Sequence, residues 1–338
     1  MKERKDMSRK VKTNIIGIGS ILLFLIVMGI YAFGEYRQEN ERNREYHFVL
    51  IPKTLDNLNG FWTSLIEGAK LGASEYNINL SVYGTYSEDD IKGQIEKLEN
   101  AILEEPDGII IAPTSTEEIT PSLKKAKEKG IEIVLVDSTI TEDIGVSLVS
   151  TDNYKAGVNI GQYAKRLLDE DSQIGMVGHI KGVSTAVERE AGMREGLGEF
   201  EEKIREVVFC DSTYEKAYSL TIEMMERYPE IDLIMGLNEY SAVGAARAIR
   251  DLGLAGQVNM VGFDSSIEEI QFLEQNIFDA IIIQKPVNMG YLAVEQGIKA
   301  LQGKNVESYV DSGSVLINRG NMYLDENQRL LYPVSGQE

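Results

Sequence analysis

The chain has 338 residues, with 34 Lys and Arg against 54 Asp and Glu and a formal charge of -20. One Cys and two His exclude a disulfide framework, a multi-cysteine zinc site and a histidine-rich metal centre. The acidic balance argues against a nucleic-acid partner, because phosphate binding needs clustered Lys and Arg, and the length fits two domains of about 150 residues each.

Residues 1–45 carry 9 basic and 6 acidic side chains, so the excess of acid lies wholly in the rest. Residues 1–14 form a basic segment with Lys2, Arg4, Lys5, Arg9, Lys10 and Lys12. Residues 15–34 carry no charge, and the run over 15–33 is long enough to span hydrocarbon as a helix. The basic flank puts the N-terminus in the cytoplasm and the rest outside. The competing reading is a cleaved signal peptide, with Ala32-Phe33-Gly34 as cleavage site. The run exceeds a signal core of about 7–15 residues, which favours an uncleaved anchor. No cysteine follows it to carry lipid. Residues 35–45 are uniformly hydrophilic and read as a polar stalk that includes the approach to His47.

From there short apolar runs alternate with amphipathic stretches. Strands are predicted at Phe48–Pro52, Asn79–Tyr83, Gly108–Ala112, Glu132–Val136, Ile174–Gly178, Glu206–Phe209, Asp232–Met235, Asn259–Gly262 and Ala280–Gln284. Helical patterns lie between them, for example at Phe61–Tyr76, Ile91–Leu103, Glu118–Lys129, Tyr154–Leu168 and Glu239–Leu252. Runs such as Gly108-Ile109-Ile110-Ile111 are continuously apolar, the pattern of parallel strands covered by helices on both faces. The fold class is α/β, with two doubly wound parallel-sheet lobes. In such folds ligands sit beyond the carboxyl ends of the strands. Those ends carry Lys53, Asp137-Ser138, His179, Cys210, Asn238, Phe263-Asp264 and Gln284. A single Asp at a loop start is more often a turn or cap; a series of polar ends along one edge suggests a site.

The segments Ile51-Pro52-Lys53-Thr54, Asp107–Thr114, Val136-Asp137-Ser138, Ser150–Asn153, Glu188–Gly192, Leu237–Ala245, Val261–Asp264 and Ile283–Pro286 follow one another in an order and spacing that resembles the type I periplasmic binding proteins, in the ribose- and galactose-binding branch. The resemblance runs from about Phe48 to Asn318. It implies two lobes joined by three crossovers: 46–151 plus 285–311, and 152–284 plus 312–338. It implies a ligand-binding set of Lys53, Phe61, Trp62, Asp137, Ser138, Thr151, Arg189, Asn238, Phe263, Asp264 and Gln284. Phe61, Trp62 and Phe263 would stack on sugar ring faces, while carboxylates, amides and the Arg189 fork would take hydroxyls. The alternatives are a core position for Phe61 and Trp62, and a helix-face ion pair for Arg189. Asp152-Asn153 reads as a helix N-cap and hinge.

Several positions depart from the ribose-type pattern: Ser138 stands for an arginine, Ala112 for an asparagine, Ser212 for an aromatic and Lys53 for a small residue. Lys53 with Asp137-Ser138 is similar to the autoinducer-2-binding subset, and Lys53 would also suit an acidic sugar. His179 reads as a solvated or capping histidine and Cys210 as a small buried filler. No nucleophile elbow, phosphate loop or zinc-protease motif is present, so no catalytic residue, metal or cofactor is expected. Asp137 and Asp264 could in principle be a glycosidase pair. The expected function is an extracytoplasmic, membrane-tethered solute-binding protein that closes over a monosaccharide and presents it to an ABC permease. The alternative is a sensor acting through a separate membrane kinase or chemoreceptor.

Overall fold

A computed structural model describes residues 27–29, 31, 45–57 and 59–332. The chain divides into two units, 1–45 and 46–338. In the first, Val27–Gly29 and Tyr31 are helical and exposed; the whole basic segment, the rest of the apolar run and all but Glu45 of the stalk lie outside the described residues. Among the described residues no helix is long and apolar enough to cross a membrane.

The second unit begins with β1 (Tyr46–Ile51), α1 (Gly60–Glu75), β2 (Ile78–Val82), α2 (Ile91–Leu103), β3 (Gly108–Ile111), α3 (Thr120–Glu128), β4 (Glu132–Val136) and β5 (Ser147–Ser150). A second series follows: α4 (Asn153–Lys165), β6 (Gln173–Gly178), α5 (Ser184–Leu197), β7 (Ile204–Phe209), α6 (Tyr214–Arg227), β8 (Ile231–Gly236), α7 (Glu239–Asp251), β9 (Asn259–Phe263), α8 (Ile267–Glu274) and β10 (Ala280–Gln284). Then come α9 (Pro286–Leu301), β11 (Tyr309–Asp311), β12 (Ser314–Asn318) and α10 (Asp325–Leu331).

The strands form two sheets, ordered β11-β5-β4-β3-β1-β2 and β12-β10-β9-β8-β6-β7. The chain therefore passes between sheets after β5, after β10 and after β11. These are two α/β lobes, called here lobe one and lobe two. All pairings are parallel except β10 with β12, which is antiparallel and closes one edge of sheet two. That strand departs from the all-parallel expectation. It arrives through a tight link at Gly313, with φ +85°, rather than a crossover helix.

Period-two alternation explains why the strand runs are apolar throughout. In sheet one Phe48, Leu50, Ile110 and Val134 face α1 and α9, with Leu65, Met289 and Val294. Their neighbours Val49, Ile51, Ile109 and Ile133 face the opposite side, with Leu98 and Ile102 of α2 and Leu123 of α3. Sheet two repeats this: Ile234, Met260 and Ile281 pack against α6 and α7. Met176, Leu233, Val261 and Ile282 pack against α4 and α5. Burying both faces leaves the strand ends as the places where polar side chains can gather.

All nine predicted strands are present. Three short ones, β5, β11 and β12, were not predicted, because none is a full apolar run and two lie at sheet edges. His47 is the second residue of β1, not part of a stalk; its amide donates to the Asp107 carboxylate at 2.9 Å and its ring lies 3.2 Å from Ser81 Oγ. Helices α5, α6, α8, α9 and α10 were not among the examples named from the sequence; α5 is the one that carries Arg189 to the site. It packs closely on α4 through glycines: a Cβ on Gly192 would lie 2.1 Å from the Tyr154 carbonyl oxygen. This glycine contact brings Arg189 of α5 against Asn153 at the start of α4.

Candidate functional site

The carboxyl ends of the two sheets face each other across the lobe junction. There, lobe one contributes Lys53, Asn59, Phe61, Trp62, Glu88 and Asp137, and lobe two His179, Thr185, Arg189, Asn238, Asp264 and Gln284. These residues line a cavity of about 20 Å3, room for roughly one water. Larger grooves of about 1130 and 530 Å3 run along the junction. The first is lined by exposed helix-surface groups such as Lys70, Leu71 and Glu215. The small cavity is the candidate site because buried charges converge on it.

Lys53 follows β1 and Asp137 follows β4. Both are buried, and Lys53 Nζ donates to Asp137 Oδ2 at 2.8 Å. Ser138 Oγ donates to the same oxygen at 2.5 Å, so Ser138 braces Asp137 and does not itself line the cavity. Asp137 and Asp264 both have left-handed backbones, φ +63° and +82°. Each still donates its amide to the neighbouring strand, Asp137 to Val149 O and Asp264 to Ile282 O. The backbone bends while the sheet pairing continues, at a cost of order 1–3 kcal/mol per residue.

Phe61 and Trp62 open α1, capped by Asn59, whose side chain accepts from the Trp62 amide. The two rings meet edge to face at 4.9 Å. Trp62 is both things the sequence offered: its ring is 2% exposed within the lobe-one core, and its indole edge reaches the cavity. Lys53 Nζ stands 5.8 Å from its ring centroid.

In lobe two, Arg189 is buried and, among the described residues, makes no direct ion pair with a carboxylate. Its Nε donates to Asn153 Oδ1 at 2.8 Å and one terminal nitrogen donates to Leu237 O at 2.8 Å. Its guanidinium lies 4.5 Å from the Phe263 ring centroid. Phe263 thus sits beneath Arg189, fully buried, and not on the cavity wall. Asn238 caps α7 with its side-chain oxygen and is one of the residues that line the cavity. Asp264 accepts from Gln284 Nε2 at 2.7 Å and from the Glu239 amide at 2.9 Å. Gln284 Oε1 is buried with no hydrogen-bond partner. Thr151 lies at the first crossing between lobes; its buried hydroxyl has no partner, nor does that of Ser312 at the third. Asp152 caps α4, accepting from the Lys155 amide.

Four cavity residues escaped the sequence reading: Asn59, Glu88, His179 and Thr185. His179 corrects the expectation of a solvated ring. It is 3% exposed, its Nε2 lies 2.9 Å from Thr185 Oγ1, and its Nδ1 has no partner. Burial, then the charges of Arg189 and Lys53, hold its pKa well below the usual value, so the ring is neutral. Glu88, in the loop after β2, is also buried; desolvation raises its pKa against the pull of Lys53. A strand-end position was the available signal for His179. Glu88 gave none, because a glutamate in an acidic loop reads as solvated. Cys210 is free and buried, its thiol pushed up to about 11 by burial, as a packing residue should be.

Comparison with known proteins adds the family. The model for the periplasmic binding protein domain matches residues 48–305. The D-ribose/D-allose-binding protein of Pseudomonas aeruginosa is 27% identical over 275 residues, covering 78% of this chain and 84% of its own. The ribose import binding protein of Bacillus subtilis is 23% identical, covering 80% and 86%. A sugar transporter structure from Clostridium phytofermentans aligns with a TM-score of 0.78 and 41% identity, covering 81% of this chain and all of that one. A solute-binding protein from Agrobacterium vitis, bound to alpha-D-tagatopyranose, aligns at 0.79 with 26% identity, covering 85% and 99%. The names of these relatives are those of sugar-binding and sugar-transport proteins, not of glycosidases, so the glycosidase reading is dropped. The chain belongs to the periplasmic binding protein family, among the sugar-binding proteins of ABC transporters.

Proposed function

We propose that this protein captures a neutral monosaccharide between its lobes outside the cytoplasm and delivers it to an ABC permease. The observation that carries this reading is the cavity at the lobe junction, to which both lobes contribute buried polar groups. A monosaccharide is far larger than about 20 Å3, so the lobes must part to admit it. Only a closed arrangement offers both walls at once. A ligand that contacts both walls therefore shifts the lobes toward closure. The proposed lobes are 46–151 plus 285–311 and 152–284 plus 312–338.

The proposed roles follow from the groups left free. Lys53 keeps two N–H donors beyond its bond to Asp137, and Arg189 keeps one terminal nitrogen. Asn238 offers an amide, and Gln284 Oε1 and His179 Nδ1 await partners. Phe61 and the Trp62 edge give apolar walls. Two cations face three carboxylates, and Lys53 is already neutralised by Asp137. That balance disfavours a sugar acid. The basic segment 1–14 and the uncharged run 15–34 support tethering with the N-terminus in the cytoplasm. The import proteins among the relatives support transport over sensing.

A thermal-shift and calorimetric screen of the full chain tests this. D-ribose, D-allose, D-tagatose and D-arabinose are set beside their aldonic acids. Ligand at about 100 times its dissociation constant adds about 2.7 kcal/mol. A rise with a neutral sugar and none with its acid supports the reading; the reverse order, or no rise with any sugar, sinks it.

A further inference from the structure

We propose that Glu88 is a positioning residue that clasps the two lobes together, tying the Trp62 ring of lobe one to the Ser212 hydroxyl of lobe two. Glu88 sits in the loop between β2 and α2 and is buried. Its Oε1 accepts the Trp62 indole N–H at 2.5 Å. Its Oε2 accepts the Ser212 hydroxyl at 2.6 Å. Both oxygens are thus engaged by protein, one from each side of the junction.

Each side is prepared for the contact. The Glu88 loop is pinned by Thr85, whose hydroxyl donates to Lys53 O at 2.9 Å and lies 2.8 Å from Ser87 O. The same anchor therefore holds Glu88 and the cavity lysine. Across the junction, Asp211 and Ser212 follow β7 with left-handed backbones, φ +49° and +50°. Two consecutive non-glycine residues in that region are uncommon. They turn the Ser212 hydroxyl toward lobe one. Another bond crosses nearby, from the Thr139 amide to Ser184 Oγ at 3.0 Å, but it joins neutral groups.

The consequence is a bias toward closure that does not depend on ligand. Parting the lobes removes Ser212 from Glu88 and opens the carboxylate to water. Affinity for any ligand scales with the fraction of the binding-competent state. The effect on affinity rests on the proposed sugar-binding function; the effect on lobe spacing does not.

The test measures lobe separation in the full chain by pulsed electron resonance. Nitroxides are placed at Lys92→Cys on lobe one and Glu223→Cys on lobe two, while Cys210 is buried and takes no label. Without sugar, Ser212→Ala and Glu88→Gln should each lower the closed-to-open ratio about tenfold. The double variant Glu88→Gln with Ser212→Ala should lower it no further than either single variant. With D-ribose or D-allose, both lowering variants should release sugar about tenfold faster and keep the order of preference among sugars. Unchanged distances in both, or additive effects in the double variant, overturn the clasp. A changed order of sugars with unchanged distances makes Glu88 a ligand contact instead. If wild type binds no sugar, the proposed function fails while the distances still decide the clasp.

Discussion

Lys53 and Asp137 form an ion pair at 2.8 Å with side chains only 4% and 6% exposed, beyond the carboxyl ends of β1 and β4, which β3 separates in sheet one. Removing one partner leaves a buried charge without compensation, at a cost of about 3–5 kcal/mol. Asp137→Ala and Lys53→Met should each lower the urea midpoint strongly and abolish sugar binding. The double variant Lys53→Met with Asp137→Leu should regain much of the stability without regaining binding. A loss in the double variant equal to the sum of the two single losses would show that the pair is not coupled.

Arg189 is held by Asn153, the Leu237 carbonyl and the Phe263 ring. Arg189→Lys keeps the charge but loses the fork and the stacking plane. Calorimetry should show at least a tenfold loss of affinity for whichever sugar binds. Phe263→Leu should cost less, since the ring supports the arginine from below.

Gly192 lets α5 touch α4. A methyl there meets the Tyr154 carbonyl at 2.1 Å, and a backbone oxygen cannot swing away. Gly192→Ala should destabilise by about 1–3 kcal/mol. It should also weaken binding, because the shift parts Arg189 from Asn153. Chemical denaturation and titration calorimetry on the same sample check both halves.

Two buried groups tilt stability with pH in opposite directions. An unfolded His takes up a proton near 6.5, which folded His179 refuses. Its stabilising effect is present above about pH 6.5 and is lost as pH falls, by up to about 1.4 kcal/mol per unit. Glu239 is pushed up to about 8, chiefly by burial, and accepts the Tyr214 hydroxyl at 2.5 Å. It holds its proton in the folded state, so its stabilisation is present below pH 4.5 and is lost as pH rises through about 8. Urea midpoints from pH 5 to 9 should lose their acid-side slope in His179→Gln and part of their alkaline-side slope in Glu239→Gln, the rest remaining with Glu88 and Glu269, whose burial also raises their pKa.

Trp62 is the only tryptophan in the chain, and its indole donates to Glu88. Its fluorescence should shift when a sugar enters, because lobe closure and stacking both alter the ring's surroundings. Trp62→Phe should keep the fold and reduce affinity several-fold, with the lost indole hydrogen bond as the cause.

The sequence by itself determined the alternation of strands and helices, because continuous apolar runs such as Gly108–Ile111 have no stable place except between two helical layers. It also determined which strand ends are polar, and so brought forward Lys53, Asp137, Asn238, Asp264 and Gln284. What it missed locally has a physical reason. Helix α5 contacts its neighbour through glycine and alanine, so it shows no large apolar stripe. The edge strands β11 and β12 are half-exposed and carry no run. Only the tertiary structure decided which side chains meet. It paired Lys53 with Asp137, set Phe263 beneath Arg189 instead of on the cavity wall, buried His179, and joined Glu88 to Ser212 across 124 positions of chain. Those contacts depend on how two sheets distant in sequence face each other. No local period or spacing encodes that relation; it arises from packing helices on both faces of each sheet, which leaves the strand ends to meet.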